Sequence, residues 1–473
     1  MRKLLVIALL TCCVLRAEIK TEKSSQSFLF TRPIFNNVPA HVSFWHDSWF
    51  DIDKGTAYQI GTEYQRSFNS EKMKRYFLMA ERDKLIVRGT TQANYSNLDT
   101  DVRAEWLGLP TGFQGTLAIK PEQWQVCWTV SARRSFPKLL NLNFFDRMWA
   151  FIDLPVVSMR NNMNFTQEAV TGSAASTVAV RDIETAFQNT EWKYQKMKTT
   201  SQSTTQLGQM KIGFGKTFIS DGRAHLASYS ALSIPTSRKQ NNQYMFQPQA
   251  GFNGHLGLIF GASFQFPLTR TTDKNTTSLF LELENTYLIR NDQYRTFDLK
   301  NKEWSRFLLM RRKDQTTNST TPGVNVLTQS VRVSPYAMID VSGGMRFNVG
   351  LAEAEIGVGA WGHNSERLKL NNTWQEHYGI AGTTTNTSAS VSTIKTLGAD
   401  DATFTSIKET DIDFTSARSL STLLYRAHAS IGARGRGKNS NALFGTGIFV
   451  EVPRNSTKGF SQWGVWIKAG GAF

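Results

Sequence analysis

Beyond its leader the 473-residue chain holds no run of about 18 or more apolar residues, which excludes a helical transporter. Cysteine is scarce as well. Cys12 and Cys13 lie in the apolar leader and Cys127 stands alone, which rules out a disulfide scaffold and a Cys-rich zinc site. Cys127, in Gln-Trp-Gln-Val-Cys-Trp-Thr-Val, reads as a small apolar side chain on a strand face; a catalytic thiol would need His and Asn or Asp partners. The seven histidines are scattered without a His-Glu-x-x-His pair, so no metal site is expected and no cofactor. Only 40% of the residues are hydrophobic and 19% charged, yet 12% are aromatic, too many for a disordered chain. A soluble Ser/Thr/Asn-rich β protein remains, or a β-barrel whose membrane face is spread over alternate residues.

The amino end reads as a secretory leader. Arg2 and Lys3 precede an apolar stretch, Leu4 to Leu15, which closes at Arg16-Ala17-Glu18, so residues 1–17 are expected to be cleaved. Cys12 and Cys13 offer a lipoprotein alternative, against which Thr11 counts. The formal charge is +16, and it stays strongly positive once Arg2, Lys3 and Arg16 are removed.

Period two is the dominant pattern. Leu256, Leu258, Phe260, Ala262, Phe264 and Phe266 alternate with His255, Gly257, Gly261, Ser263 and Gln265. Leu279, Leu281 and Leu283 alternate with Glu282 and Glu284, and Ala352, Ala354, Ile356 and Val358 with Glu353, Glu355 and Gly357. Val331, Val333, Pro335, Ala337, Ile339, Val341 and Met345 read as one further strand. One apolar face and one small or charged face mark strands with two different neighbours. Segments of roughly ten to sixteen residues exceed the five or six of a typical soluble strand and suit a tilted membrane crossing.

The last residues carry a resemblance. Reading back from Phe473, the alternate positions are Gly471, Ala469, Ile467, Val465 and Trp463. This resembles the closing strand of Gram-negative outer-membrane β-barrels of the porin-like kind. The resemblance implies that Trp463, Val465, Ile467 and Phe473 form the signal read by the barrel-assembly machinery, although Gly471 stands where that family often has an aromatic. The segment Phe151-Ile152-Asp153-Leu154-Pro155-Val156 and the Gly251–His255 turn look similar to porin features. Trp149, Trp361, Trp463 and Trp466 are expected in interfacial girdles.

The expected fold is thus all-β, an antiparallel transmembrane barrel of roughly 14 strands within a range of 12–16, over residues 51–473. Residues 18–50, with Trp45 and Trp49, form a first strand or a plug. Candidate strands fall near 56–67, 82–91, 112–120, 123–134, 145–160, 208–219, 223–236, 254–267, 277–290, 294–310, 331–348, 351–366, 418–435, 441–453 and 460–473. Residues 167–207, with Ala174, Ala175, Ala179 and one short helix within Ile183–Trp192, and the Thr/Ser/Asn-rich 369–417 are long loops, extracellular or folded into the lumen.

Strand geometry accounts for the remaining motifs. Gly213-Phe214-Gly215-Lys216-Thr217 lacks the glycine a phosphate loop needs at Met210 and reads as a strand with small lumen-side residues. His46 with Asp47, or His363 with Ser365, are the nearest approaches to a hydrolase set, and they are neighbours in sequence only; no enzyme is expected. Sequons at Asn94, Asn164, Asn275, Asn318, Asn371, Asn386 and Asn455 favour the rival secreted protein. No clustered basic run accompanies an aromatic platform, so nucleic acid is not an expected partner.

The expected lumen and selectivity residues are Lys211, Glu282, Glu284, Arg332, Asp340, Arg346, Glu353, Glu355 and Arg434, with Arg426 and Arg436 beside them. Opposed charges in a lumen screen solutes by size and dipole; equally, they pair across strands and fill it. The expected function is passive passage of small hydrophilic solutes with an anion preference from the basic balance, in a bacterial outer membrane. Outer-membrane lipid and lipopolysaccharide, the assembly machinery and a second copy of the chain are the expected partners. An adhesin or structural barrel without an open pore, and a soluble β-sandwich, are the alternatives.

Overall fold

The computed structural model describes residues 25–42, 55–79, 82–92, 100–135, 147–173, 180–220, 224–269, 275–314, 320–335, 337–381, 406–436 and 441–473. The expected leader, Trp45, Trp49, Ala174, Ala175, Ala179 and residues 382–405 of the Thr-rich interval fall outside these residues. The wall consists of β1 (Thr56–Ser67), β2 (Glu122–Ser135), β3 (Met148–Asn162), β4 (Gln209–Ser220), β5 (His225–Pro235) and β6 (Gly257–Pro267). It continues through β7 (Asn275–Leu288), β8 (Ala337–Val349), β9 (Ala352–His363), β10 (Thr422–Arg436), β11 (Asn441–Pro453) and β12 (Gln462–Ala472).

Each strand pairs antiparallel with the next, and β12 returns to β1 in a register running from Ala57↔Ala472 to Ser67↔Gln462. The backbone N–H of Thr56 donates to Phe473 and that of Phe473 to Thr56, both at 2.9 Å, so the ring has no free edge at the seam. A further strand, Gln202–Leu207, pairs with the upper part of β3 and lies outside the ring.

The ring therefore has 12 strands rather than about 14. Three expected segments leave the wall. Those near 82–91 and 112–120 become Leu85–Arg88 and Gln114–Ala118 of a small separate sheet. The one at 294–310 breaks into short pieces, because Thr296, Phe297, Asp298 and Leu299 are all buried and no alternating surface exists there. Trp304 then turns the chain with φ +64°. The expected strand 331–348 is also cut. Pro335 supplies no N–H to a ladder, and across it the side-chain phase shifts. Val331 and Val333 enter an interior cluster, while Val341 and Met345 face outward.

The outer face carries Ile60, Val130, Ile212, Phe214, Phe260, Phe264, Leu279, Leu281, Ile356, Val358, Ile431, Phe444, Ile448, Val465 and Ile467, all exposed. A belt this wide is far beyond what a soluble surface carries and is the dyad pattern of a lipid-facing wall. A soluble sandwich has no closed ring and no such belt. Tyr58 lies against Phe473 at 5.7 Å at one end of the β1–β12 seam and Tyr64 against Trp463 at 5.6 Å at the other. Of the four expected girdle tryptophans only Trp463 faces out. Trp149, Trp361 and Trp466 are buried in the lumen, because they fall on the inward phase of their strands.

One end of the ring has tight turns, as at Gly350-Leu351 between β8 and β9, where Gly350 takes φ +62°. The other end bears the connections 68–121, 163–208, 236–256, 289–336 and 364–421. These fold into a roof with its own core, including Phe77, Phe187, Trp192, Trp304 and Phe307, in which Trp192 and Phe307 stack at 5.3 Å. The short helix expected in 183–192 spans Ile183–Phe187 and is capped by the Asp182 carboxylate, which accepts from the Thr185 N–H at 2.8 Å.

Candidate functional site in the lumen

Inward residues of the twelve strands are mostly small, polar or charged, with rings such as Trp149, Phe151, Trp361, Phe449 and Trp466 among them, and the space they enclose is occupied. Residues 25–42 run inside the ring, not in its wall. The segment starts under the roof, where Ser25 Oγ donates to Asp298 at 2.9 Å and the N–H groups of Gln26 and Ser27 donate to Tyr76 and Ser416. The Arg295 guanidinium sits 3.1 Å from the Phe28 ring centroid. The chain then descends. Arg32 donates to Glu451 of β11 at 2.8 Å and to Gln65 of β1 at 2.7 Å, and Asn37 donates to Glu63 of β1 at 2.8 Å. A short helix, α1 (Val38–Val42), ends over Lys468 of β12, whose ammonium donates to the carbonyls of Ala40 and His41 at 2.9 and 3.2 Å. A cation at free helical carbonyls is favourable on both hydrogen-bonding and dipole grounds.

The wall charges are knitted into the same network. Arg426 of β10 donates to Glu451 at 2.7 Å, to Asp340 at 2.9 Å and to Asn37 of the plug at 3.1 Å. Nearer the short-turn end Arg346 bridges Glu353 at 3.0 Å and Glu355 at 2.7 Å, and Arg434 reaches Glu353 at 2.6 Å. On the opposite wall Lys211 donates to Glu284 at 2.9 Å, and Tyr229 donates to the same carboxylate at 2.9 Å. Ser263 donates to Glu282 at 2.8 Å. Eliminating one member of such a pair leaves a buried charge uncompensated, which is why the lumen charges hold one another in place.

Lys211, Glu282, Glu284, Asp340, Arg346, Glu353, Glu355 and Arg434 thus all face the lumen, as their strand phase indicates. Arg332 does not. It lies above the wall on Thr328–Ser334, exposed, paired with Asp292 at 3.0 Å, on the far side of the Pro335 phase shift. Arg32, Glu63, Asp153, Glu451 and Lys468 were missed. Glu63, Glu451 and Lys468 sit in alternating segments whose period already put them inward, whereas Arg32 has no periodic context to find it by. Glu63, Asp153, Glu282, Glu284, Asp340, Glu353, Glu355 and Glu451 face Arg133, Lys211, Arg346, Arg426, Arg434 and Lys468, so among the described residues the wall holds no positive excess.

Small residues make room for the large ones. A Cβ on Gly213 or Gly215 would overlap the rings of Phe151 and Trp149 on β3, and one on Gly447 would overlap Trp466. Gly213 to Thr217 is accordingly a strand with small lumen-side residues. Cys127 is buried beneath the plug in one cluster with Ile34 and Phe35. Ser365 accepts from the Ser421 N–H, and His363 contacts the carbonyl of Asn364, so these two neighbours form no pair.

Cavities flank the plug. One, ≈ 580 Å³ with its solvent-open part, lies between α1 and the wall and is lined by Phe35, Asn36, Asn37, His41, Gln59, Trp149, Phe151, Asp153, Lys211, Tyr229 and Glu284, among others. Another, ≈ 360 Å³, lies under the roof and is lined by Phe28, Phe30, Phe252, His255, Leu288, Met338 and His363 among others.

No protein-family model matches the chain, and no curated protein matches its sequence. Solved structures similar to it include an outer membrane channel from Pseudomonas putida F1, at 9% identity and TM-score 0.35, covering 89% of this chain and 96% of that one. The transport unit of the autotransporter AIDA-I from Escherichia coli aligns at 6% identity and TM-score 0.30 over 92% and 95%. A Pseudomonas aeruginosa FadL homologue aligns at 8% and 0.30 over 95% and 99%. Likenesses this distant assign neither solute nor mechanism; the ring rests on its own strand pairing. A closed antiparallel wall, apolar outside and polar within, satisfies every backbone group in lipid. The chain is a closed antiparallel β-barrel of twelve strands, apolar outside and largely polar within, with residues 25–42 filling its lumen.

Proposed function

We propose that the barrel is an outer-membrane channel for small polar solutes, gated by residues 25–42. The observation that carries this reading is the chemistry of the plug contact. Arg32, Asn37 and the carbonyls of α1 meet the wall through hydrogen bonds and ion pairs that water can replace, while Phe30, Ile34 and Phe35 pack on an apolar cluster with Cys127, Val157, Met338, Trp361 and Leu424. Withdrawing the segment leaves a lumen lined by polar side chains, which is the surface a hydrophilic solute needs. The +16 charge of the chain does not reach that surface as a net field, so size and local charge pairs, not anion preference, set what passes.

A second reading has its own support. The roof carries an independent apolar core and closes the ring from above, as a barrel serving as a platform for surface contacts would. Planar-bilayer recording separates the two. The refolded chain should stay mostly silent, and an Arg32→Ala/Asn37→Ala double variant that keeps the heat-modifiable mobility of a folded barrel should give discrete steps. If both proteins insert and neither passes current, the channel reading fails and the platform reading stands.

A further inference from the structure

The larger cavity contains an unmatched negative charge set among aromatic rings. Asp153 projects inward from β3, and its carboxylate has neither hydrogen bond nor ion pair among the described residues, although Lys211 is its cross-strand neighbour. Lys211 is committed to Glu284, at 2.9 and 3.2 Å. Of the ionisable side chains lining the space, Lys211 and Glu284 cancel, His41 lies against the Phe35 carbonyl at 2.9 Å with its pKa lowered by burial, and Asp153 is left over. Gln59, 5% exposed, adds a buried side-chain oxygen without a partner. Both unsatisfied groups are acceptors.

The rest of the lining consists of rings. Phe151 and Tyr229 meet edge to face at 5.6 Å and Trp149 lies 5.6 Å from Phe151, with Phe35 of the plug across the space. The negative faces of such rings attract a cation, and the protein already places the Arg133 guanidinium 3.7 Å from the Trp149 centroid, although Arg133 does not line the cavity. A carboxylate, a free acceptor and π faces together match a hydrogen-bond donor of positive charge with an apolar body.

We infer that the cavity between α1 and β3 is a binding site for a small organic ammonium compound, held by Asp153 and the rings of Phe151, Tyr229 and Phe35. The site deepens the gated-channel reading, and only its role in transport rests on that reading. Binding is measured on the detergent-solubilised full barrel without any current, so failure of the gate and failure of the site are distinguishable.

The test is calorimetric titration with n-butylammonium, with the neutral n-butanol and with glucose. Butylammonium should bind at least tenfold more tightly than butanol. Asp153→Asn should remove that difference, and Asp153→Glu should retain most of it, each checked for heat-modifiable mobility. Equal affinity for amine and alcohol overturns the assignment, as does an unchanged Asp153→Asn or the absence of amine binding. Preference for glucose over the amine also overturns it and makes the cavity a neutral polyol site.

Discussion

Replacing Arg32 by alanine tests the plug at its most heavily bonded point. The guanidinium is fully buried, donates to Glu451 at 2.8 Å and to Gln65 at 2.7 Å, and also reaches the carbonyl of Asn36 at 3.2 Å. Removing one partner of a buried pair costs about 3–5 kcal/mol. Glu451 keeps Arg426 at 2.7 Å, so the lower end applies. A loss of about 3 kcal/mol shifts the docking equilibrium by roughly 150-fold. The native thiol of Cys127 reports this shift, because it lies at 2% exposure under Ile34 and Phe35. If alkylation waits for the segment to leave, its rate tracks the undocked population and should rise by roughly two orders of magnitude in Arg32→Ala. The urea-denatured chain supplies the unprotected rate. A rise of less than threefold, with the denatured control labelling at once, would show that Arg32 does not hold the segment down.

Three other outcomes follow from particular contacts. His255 contacts the carbonyl of Ile289 at 2.7 Å and Gln293 at 2.8 Å, and burial pushes its pKa down to about 4. The unfolded roof binds the proton first, so stability is full above about 6.5 and is lost as pH falls towards 4, by about 3 kcal/mol at most; roof proteolysis should accelerate over that interval and not between pH 7 and 9. Gly215→Val forces a side chain into the Trp149 ring and should destabilise the barrel by about 1–3 kcal/mol, read as a lower urea midpoint. Deleting Phe473, whose backbone closes the seam with Thr56, should reduce assembled barrel in cells while spontaneous refolding in detergent proceeds with little change; equal losses in both would make its role purely structural.

Legibility in the sequence followed period. Where apolar and small or charged residues alternate over ten or more positions, as at 257–267 or 279–287, both the strand and the face of each residue could be read, because lipid outside and a polar lumen inside impose different chemistry. The same reasoning found eight lumen charges and misplaced Arg332, since a proline between two alternating runs shifts the phase without erasing the pattern. Tryptophan identity misled for a related reason. A large ring suits an interface and suits a lumen equally when the cross-strand residue is glycine, as Gly215 is to Trp149 and Gly447 to Trp466. The roof strands also read as wall, because a short buried strand and a membrane strand share composition. The lumen filling by 25–42 was legible only as one of two alternatives, first strand or plug, because the segment has no period and is specified by partners hundreds of residues away, such as Glu451 for Arg32.

The path of that segment bears on the order of assembly. Ser25 lies under the roof, α1 lies lower in the lumen, and β1 then begins at the short-turn end and seals against β12. The chain therefore passes through a hoop that its own last strand completes. Drawing the last strand around residues 25–42 while they lie across the unfinished sheet delivers the segment already docked, and gating then starts from the closed state of the finished barrel. The latest event in folding would then be the one that traps the earliest part of the chain.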